Sequence, residues 1–304
     1  MSRRLRIGHQ LSARTGGDPV AAALRAEELG FDVVVAADHV GPGWAPMPTL
    51  ATIAALTRRV RLGTLVLNND MRSPVQLAWE ASTIDRLSGG RFELGLGAGH
   101  TPSEYDATGV ERSAPAARKR RLAESVEIIR RLVDGEVVAH DGEHYRIDGA
   151  RIDRAAQEHL PILVGGNGAA LLAHAGRHAD IVGLQGLGRT HEDGNTHEVK
   201  WSTRHLDEQV EQVRTAAGDR FDDIEFNALV QVARITDDRH AALAEVVERV
   251  DGLTMDDAAS TPYLLIGTVD EIVLHMTTCN ERWGINYFAV RELDSFEPVI
   301  RALR

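Results

Sequence analysis

Residues 32–44 read DVVVAADHVGPGW, a nearly unbroken β-branched run that stops at Asp38 and His39 before a Gly/Pro turn and Trp44. A strand that is apolar on both faces belongs in a parallel sheet covered by helices. The carboxyl end of such a strand is where α/β barrels keep their chemistry. One short segment therefore points both to an architecture and to an enzyme.

The same pattern recurs along the chain. Short apolar runs at 5–11, 33–37, 61–67, 92–97, 162–165, 181–184, 225–235 and 287–290 alternate with segments of helical period at 19–29, 47–58, 74–87, 116–132, 169–178, 204–217, 239–250 and 269–282. Strand and helix in alternation give a parallel sheet, and eight such units predict a (β/α)8 TIM barrel. The punctuation agrees: Gly30 and Gly89 follow helical runs where a left-handed cap is needed, and Thr268 with Glu271 has the spacing of a capping box. A barrel of this kind takes ~250 residues, so a single domain spanning 1–304 has roughly fifty to place in loops. The expected insertions are 135–160, with a hairpin around Asp141-Gly142; 186–203, polar and aperiodic, read as a mobile lid; and 251–263, irregular.

Composition narrows the partners. A formal charge of -11 without any dense basic tract disfavours nucleic acid and leaves small molecules. The lone Cys279 allows no internal disulfide, which suits a reducing cytoplasmic setting. No apolar run approaches the ~20 residues of a membrane span, and the opening MSRRLRIGHQ leads into polar sequence rather than a signal-peptide core.

Candidate chemistry gathers at the predicted strand ends. Successive strand side chains alternate in direction, so of Asp38 and His39 one is expected to face the barrel mouth and the other to hold the loop. His39 is the better catalytic candidate because imidazole exchanges protons near neutral pH; the alternative is a His that merely caps the strand. Trp44 offers a flat wall for an aromatic ligand or ordinary loop packing. In RFELGLGAGHTPSEY a strand runs into Gly95, Gly97-Ala98-Gly99 and a polar loop carrying Glu104, a possible proton carrier if it is not simply solvated. Gly165-Gly166-Asn167-Gly168, directly before the 169–178 helix, places a glycine-rich turn on a helix amino terminus, the arrangement that binds phosphate. Asn68-Asn69-Asp70 could hydrogen-bond the edge of a heterocycle or could be plain turn chemistry. Arg118-Lys119-Arg120-Arg121 forms a basic patch, either a solvated helix face or a neighbour of the anion site. His140, His144, His191, His197 and His205 show no metal-ligand spacing, and no metal is expected.

AEELGFDVVVAADH, LGTLVLNNDMRSPVQLAWEASTIDRLSGGRFELGLGAG, PILVGGNG and YLLIGTVDEI resemble the signature segments of the bacterial luciferase-like superfamily, over nearly the whole chain. Within it the chain is most similar to the branch that uses the deazaflavin coenzyme F-420 (F420). The resemblance implies a coenzyme held at the carboxyl ends of the strands and hydride transfer to or from a small organic substrate. His39 would then contact the reacting ring region, Trp44 would wall it and Glu104 would handle a proton. Gly97, Ala98, Gly99, Gly165, Gly166, Asn167 and Gly168 match the places where backbone amides meet the coenzyme phosphate. Asp38, Asn68 and Asn69 border the ring, the last two in the stretch where the superfamily has a bulge, often with a non-proline cis peptide. Homodimerisation is common there too. No basic set for a sugar phosphate stands out, so the substrate and the direction of hydride transfer are open. The alternative is an FMN-dependent monooxygenase supplied by a partner reductase.

Overall fold

The computed structural model describes residues 3–11, 17–190 and 197–304. Eight parallel strands form the centre: β1 (Arg6–Leu11), β2 (Val33–Ala36), β3 (Arg61–Thr64, continued by Leu67–Asn68), β4 (Phe92–Gly97), β5 (Ile162–Gly165), β6 (Ile181–Leu184), β7 (Glu225–Leu229) and β8 (Ile285–Val290). Each pairs with the next, and β8 returns to β1 with Arg6 opposite Tyr287, so the sheet closes into the expected (β/α)8 TIM barrel. Helices on the outside connect the strands. The 19–29 helix starts where the Asp18 carboxylate accepts the backbone N–H groups of Val20 and Ala21, and it ends at Gly30 with φ 89°. The capping box of Thr268 and Glu271 opens the Val269–Trp283 helix, as its spacing predicts.

A closed sheet has an inside that must be filled. Val33, Val35, Leu163, Ile181, Leu229, Tyr287 and Ala289 do so, separately from the larger core between strands and helices. Below them the lumen is sealed by charge: Arg6 pairs with Glu93 and Glu225, Arg61 pairs with Glu93 at 2.5 Å, and Arg6 lies 4.7 Å over the Tyr287 ring. A charge removed from water must be matched, and here each buried group meets an opposite one.

The mouth is shaped by a break in β3. The peptide between Leu65 and Val66 is cis, three residues before Asn68, where the resemblance had placed the bulge. Val66 projects against β4 and β5. A Cβ on Gly97 would stand 2.6 Å from Val66 Cγ2, one on Gly165 3.0 Å from Val66 Cγ1, and one on Gly95 1.9 Å from the Thr64 carbonyl oxygen. These glycines are demanded by packing, whatever their amides also do.

Three expectations change in detail. The 225–235 run is two strands: β7 ends at Leu229, and Val232–Ile235 leaves the barrel to pair in parallel with Leu264–Gly267. The turn is held by the Tyr263 carbonyl, which accepts from the amides of Gln231 and Val232. The 251–263 stretch contains a short helix, Met255–Ser260, capped by Thr254. The 186–203 stretch, expected as a mobile lid, carries two antiparallel strands, Leu187–Thr190 and His197–Val199; residues 191–196, including His191, lie outside the described residues. The first insertion is the expected hairpin, Val138–Asp141 with Arg146–Ala150. It is fastened to the barrel by Glu124, which binds His140 Nε2 at 2.7 Å and accepts the backbone N–H groups of His144 and Tyr145.

Burial gives one pH-dependent property. His9 on β1 is 5 % exposed and packs edge-on against Phe31, and desolvation lowers its pKa to about 4 despite a hydrogen bond with the Glu292 backbone. The unfolded chain takes up a proton near pH 6.5, whereas the folded one does so only near 4. His9 therefore favours the fold fully above pH 6.5 and loses that contribution, roughly 3 kcal/mol, as the pH falls towards 4. Urea unfolding across this window should show a shallower acid slope in His9→Gln than in the unmutated chain.

Candidate functional site

The carboxyl ends of all eight strands surround a cavity of about 1140 Å³. Asp38 and His39 follow the end of β2 at Ala36; both border the cavity, so strand alternation does not separate them, but their hydrogen bonds do. The Asp38 carboxylate accepts two hydrogen bonds from Arg72, at 2.5 and 2.9 Å, and one from the backbone N–H of Asn68 at 2.8 Å. It is a tie between the second and third strands, with both oxygens engaged. His39 faces the mouth, and its Nδ1 lies 2.7 Å from Glu104 Oε1. The His100 ring approaches His39 edge-on, at 6.2 Å between centroids.

Glu104 is not in a loop. It lies in the first turn of a helix, Pro102–Thr108, that follows the β4 glycines. Its carboxylate is 9 % exposed, at the end of a helix where negative charge is favoured. Thr101 before Pro102 was a readable start signal, because Pro suits the first helical position.

The rest of the expected set divides. Asn68 borders the cavity; its Oδ1 accepts from the Asp70 amide, while its Nδ2 is buried without a partner. Asn69 is buried behind the wall, its Nδ2 donating to the Tyr145 hydroxyl at 3.3 Å, and does not line the cavity. Trp44, expected as an aromatic wall, is 57 % exposed and off the cavity, its indole N–H reaching the Gly17 carbonyl at 3.3 Å. The Gly/Pro turn carries it outward.

Gly97, Ala98 and Gly99 form one rim and Gly165, Gly166, Asn167 and Gly168 the other, side by side because β4 pairs with β5. The second rim runs into the Ala169–His178 helix, whose first turn has no side-chain cap, so its amides point to the cavity end. Asn167 anchors this turn: its Oδ1 accepts from Gln209 at 2.9 Å, and its Nδ2 donates to the Leu187 carbonyl.

Helical rotation settles the basic patch. Arg118 and Lys119 line the cavity, Lys119 Nζ donating to the Asn167 carbonyl at 2.9 Å. Arg120 pairs with Glu143 on the surface, and Arg121 with buried Asp70. Sequence reasoning missed Arg112, Lys200 and Arg291, three further cations that line the cavity, and Gln10, Gln185 and Gln231 beside them. Position alone was a signal for the glutamines and Arg291, which sit at or just past the ends of β1, β6, β7 and β8. The cavity thus concentrates positive charge in a chain whose net charge is -11.

Removing the Asp38 carboxylate should leave the largely buried Arg72 unpaired and free the β3 end. Asp38→Ala is expected to lower stability by about 2–3 kcal/mol, read from the urea midpoint, whereas Trp44→Ala should change it by less than about 0.5 kcal/mol.

Comparison with known proteins follows the same geometry. The luciferase-like monooxygenase family profile matches residues 5–283. An F420-dependent glucose-6-phosphate dehydrogenase of Nakamurella multipartita is 38% identical over 186 residues, which cover 58% of this chain and 55% of that protein. One from Kribbella flavida is 32% identical over 240 residues, covering 75% of this chain and 69% of that protein. Most of these curated relatives are matched over little more than half their length. Among solved structures, an F420-dependent secondary alcohol dehydrogenase in complex with an F420-acetone adduct superposes with a TM-score of 0.77 over 99% of this chain and 100% of its own, at 20% identity. That degree of likeness concerns the fold. The profile match and the longer alignment together place the chain in the luciferase-like monooxygenase family.

Proposed function

We propose that the chain is an F420-dependent oxidoreductase that moves a hydride between the deazaflavin and a small anionic substrate. The observation that carries this reading is the convergence of both glycine-rich rims, the His39–Glu104 pair and the Arg118–Lys119 cations on one cavity. The curated relatives named for F420-dependent dehydrogenation support it.

The residues fit such a coenzyme. The cavity is large enough for a tricyclic ring with a phosphate-bearing tail. The glycine rims hold their backbone close to it, and the unpartnered Asn68 Nδ2 supplies a donor that needs an acceptor. Gly166, Gly168 and the first turn of the Ala169–His178 helix, with Lys119 and Arg118, would hold the phosphate; Gly97, Ala98 and Asn68 would border the ring. When bound, the deazaflavin supplies the two-electron chemistry that no side chain can.

The protein's own part is proton transfer and orientation. Glu104 occupies Nδ1 of His39, fixes the ring and leaves Nε2 as the nitrogen that exchanges a proton with a substrate hydroxyl or carbonyl oxygen. Three strands round the barrel from the β5 rim, Arg291 stands just past the end of β8, so a second anion on the substrate would be oriented there, while Lys200 stays beside the β5 and β6 ends. This favours a phosphorylated or carboxylated alcohol, or the matching carbonyl compound, and removes the objection that the sequence shows no basic set for such a group.

Purified protein titrated with F420 should quench coenzyme fluorescence at one site per chain, and FMN should not compete. FMN binding with no F420 binding would defeat the reading in favour of a flavin monooxygenase. With glucose 6-phosphate as the first substrate tried, His39→Ala and Glu104→Gln should each lower kcat by about 10²–10³-fold while coenzyme affinity stays within about threefold. Lys119→Ala should do the reverse, weakening coenzyme affinity about tenfold with little change in kcat at saturation.

A further inference from the structure

On the outside of the barrel, away from the cavity, the Ala169–His178 helix presents His174 and His178 one turn apart on the face that meets the Pro115–Val133 helix. The i, i+4 spacing puts both imidazoles side by side, and their rings stack at 4.5 Å with an interplanar angle of 26°. Glu127 reaches over from the neighbouring helix, its Oε1 3.8 Å from His178 Nε2. One ligand atom from each of the three residues can be chosen so that all lie within 4.8 Å of one another. His174 is 6 % exposed, and its Nε2 is buried without a hydrogen-bond partner. Leaving that nitrogen unpaired costs free energy that an electrophile would recover.

The geometry points to a site for a divalent transition metal, Zn²⁺ or a metal of similar preference, held by His174, His178 and Glu127 as a clip between two barrel helices. Two imidazoles and one carboxylate are the donor set of borderline cations, with a fourth, water-filled position on the solvent side. Ligand atoms around a tetrahedral Zn²⁺ at 2.0–2.2 Å stand about 3.4 Å apart, so closure asks for shifts of an ångström or so. The half-exposed His178 and Glu127 side chains can make them. Arg177 and Arg220 oppose a cation electrostatically, but Arg220 is committed to the Gly176 and Ala179 carbonyls, and Glu127 brings a compensating charge. His140 and His144 are also four apart but lie on a hairpin, whereas His174 and His178 share one helix face; a metal held here would run against the expectation of none.

The test uses tag-free full-length protein, stripped with a chelator and desalted. Zn²⁺ titrated in competition with a chromophoric chelator should bind at one ion per chain with a Kd below about 10 µM. Co²⁺ should develop the visible absorption of a low-symmetry four-coordinate ion. A hundredfold excess over Kd should raise the Tm by about 4 °C. His178→Ala and Glu127→Gln, both at partly exposed positions that leave the core intact, should each weaken binding at least tenfold and abolish the Co²⁺ spectrum; His240→Ala, at an exposed site elsewhere, should change neither. Equal affinity in His178→Ala and the unmutated chain, or no stoichiometric binding up to about 100 µM metal, would overturn the site.

Discussion

Everything at the working end of this molecule depends on how the barrel interior is filled. Aliphatic side chains and Tyr287 occupy the lumen from its Arg6–Glu93–Glu225 floor upward, and Val66 closes it at the top. Val66 fits there because Gly97 and Gly165 carry no side chain, and Gly95 lets β4 approach the Thr64 carbonyl. A Cβ at Gly95 or Gly97 would overlap existing atoms, and one at Gly165 would press on Val66 and Gln185. At these strand ends the cavity wall is therefore bare backbone around Val66, with Leu65, Leu67 and Leu229 beside it.

Around that wall the polar groups are held by tertiary ties of differing strength. Asp38 is locked by Arg72 and the Asn68 amide, and so serves as a strut for the third strand. His39 is hydrogen-bonded to Glu104, meets the His100 ring edge-on and stays partly open to the mouth. Two acids, one saturated with donors and one hydrogen-bonded to an imidazole, thus stand in different surroundings. The cations follow the same logic: Arg120 and Arg121 are neutralised by Glu143 and Asp70, while Arg118 and Lys119 are left to the cavity.

The architecture was legible because it is written in local periodicity. The apolar runs at 92–97, 162–165 and 181–184 match β4, β5 and β6, and the 19–29 and 169–178 helices lie where pattern and caps put them. The exceptions are places where a contact distant in sequence decides. The 225–235 run reads as one strand, yet it divides after Leu229 because the Tyr263 carbonyl captures two of its amides. The Pro102–Thr108 helix is seven residues long, too short for its period to show, though Thr101-Pro102 marked its start. Trp44 looked like a ligand wall because of its nearness in sequence to His39, and the turn between them carries it outward.

By itself the sequence determined the barrel and the two glycine-rich rims, and it narrowed the mouth residue to Asp38 or His39, because each follows from alternation, spacing and turn chemistry over a few neighbouring residues. Only the tertiary structure decided that Glu104 is the partner of His39 across 65 positions, that Arg112, Lys200 and Arg291 reach the cavity, and that His174 and His178 meet Glu127. The physical reason is closure. Bringing β8 back to β1 sets which distant strand ends become neighbours, and no local pattern encodes that distance.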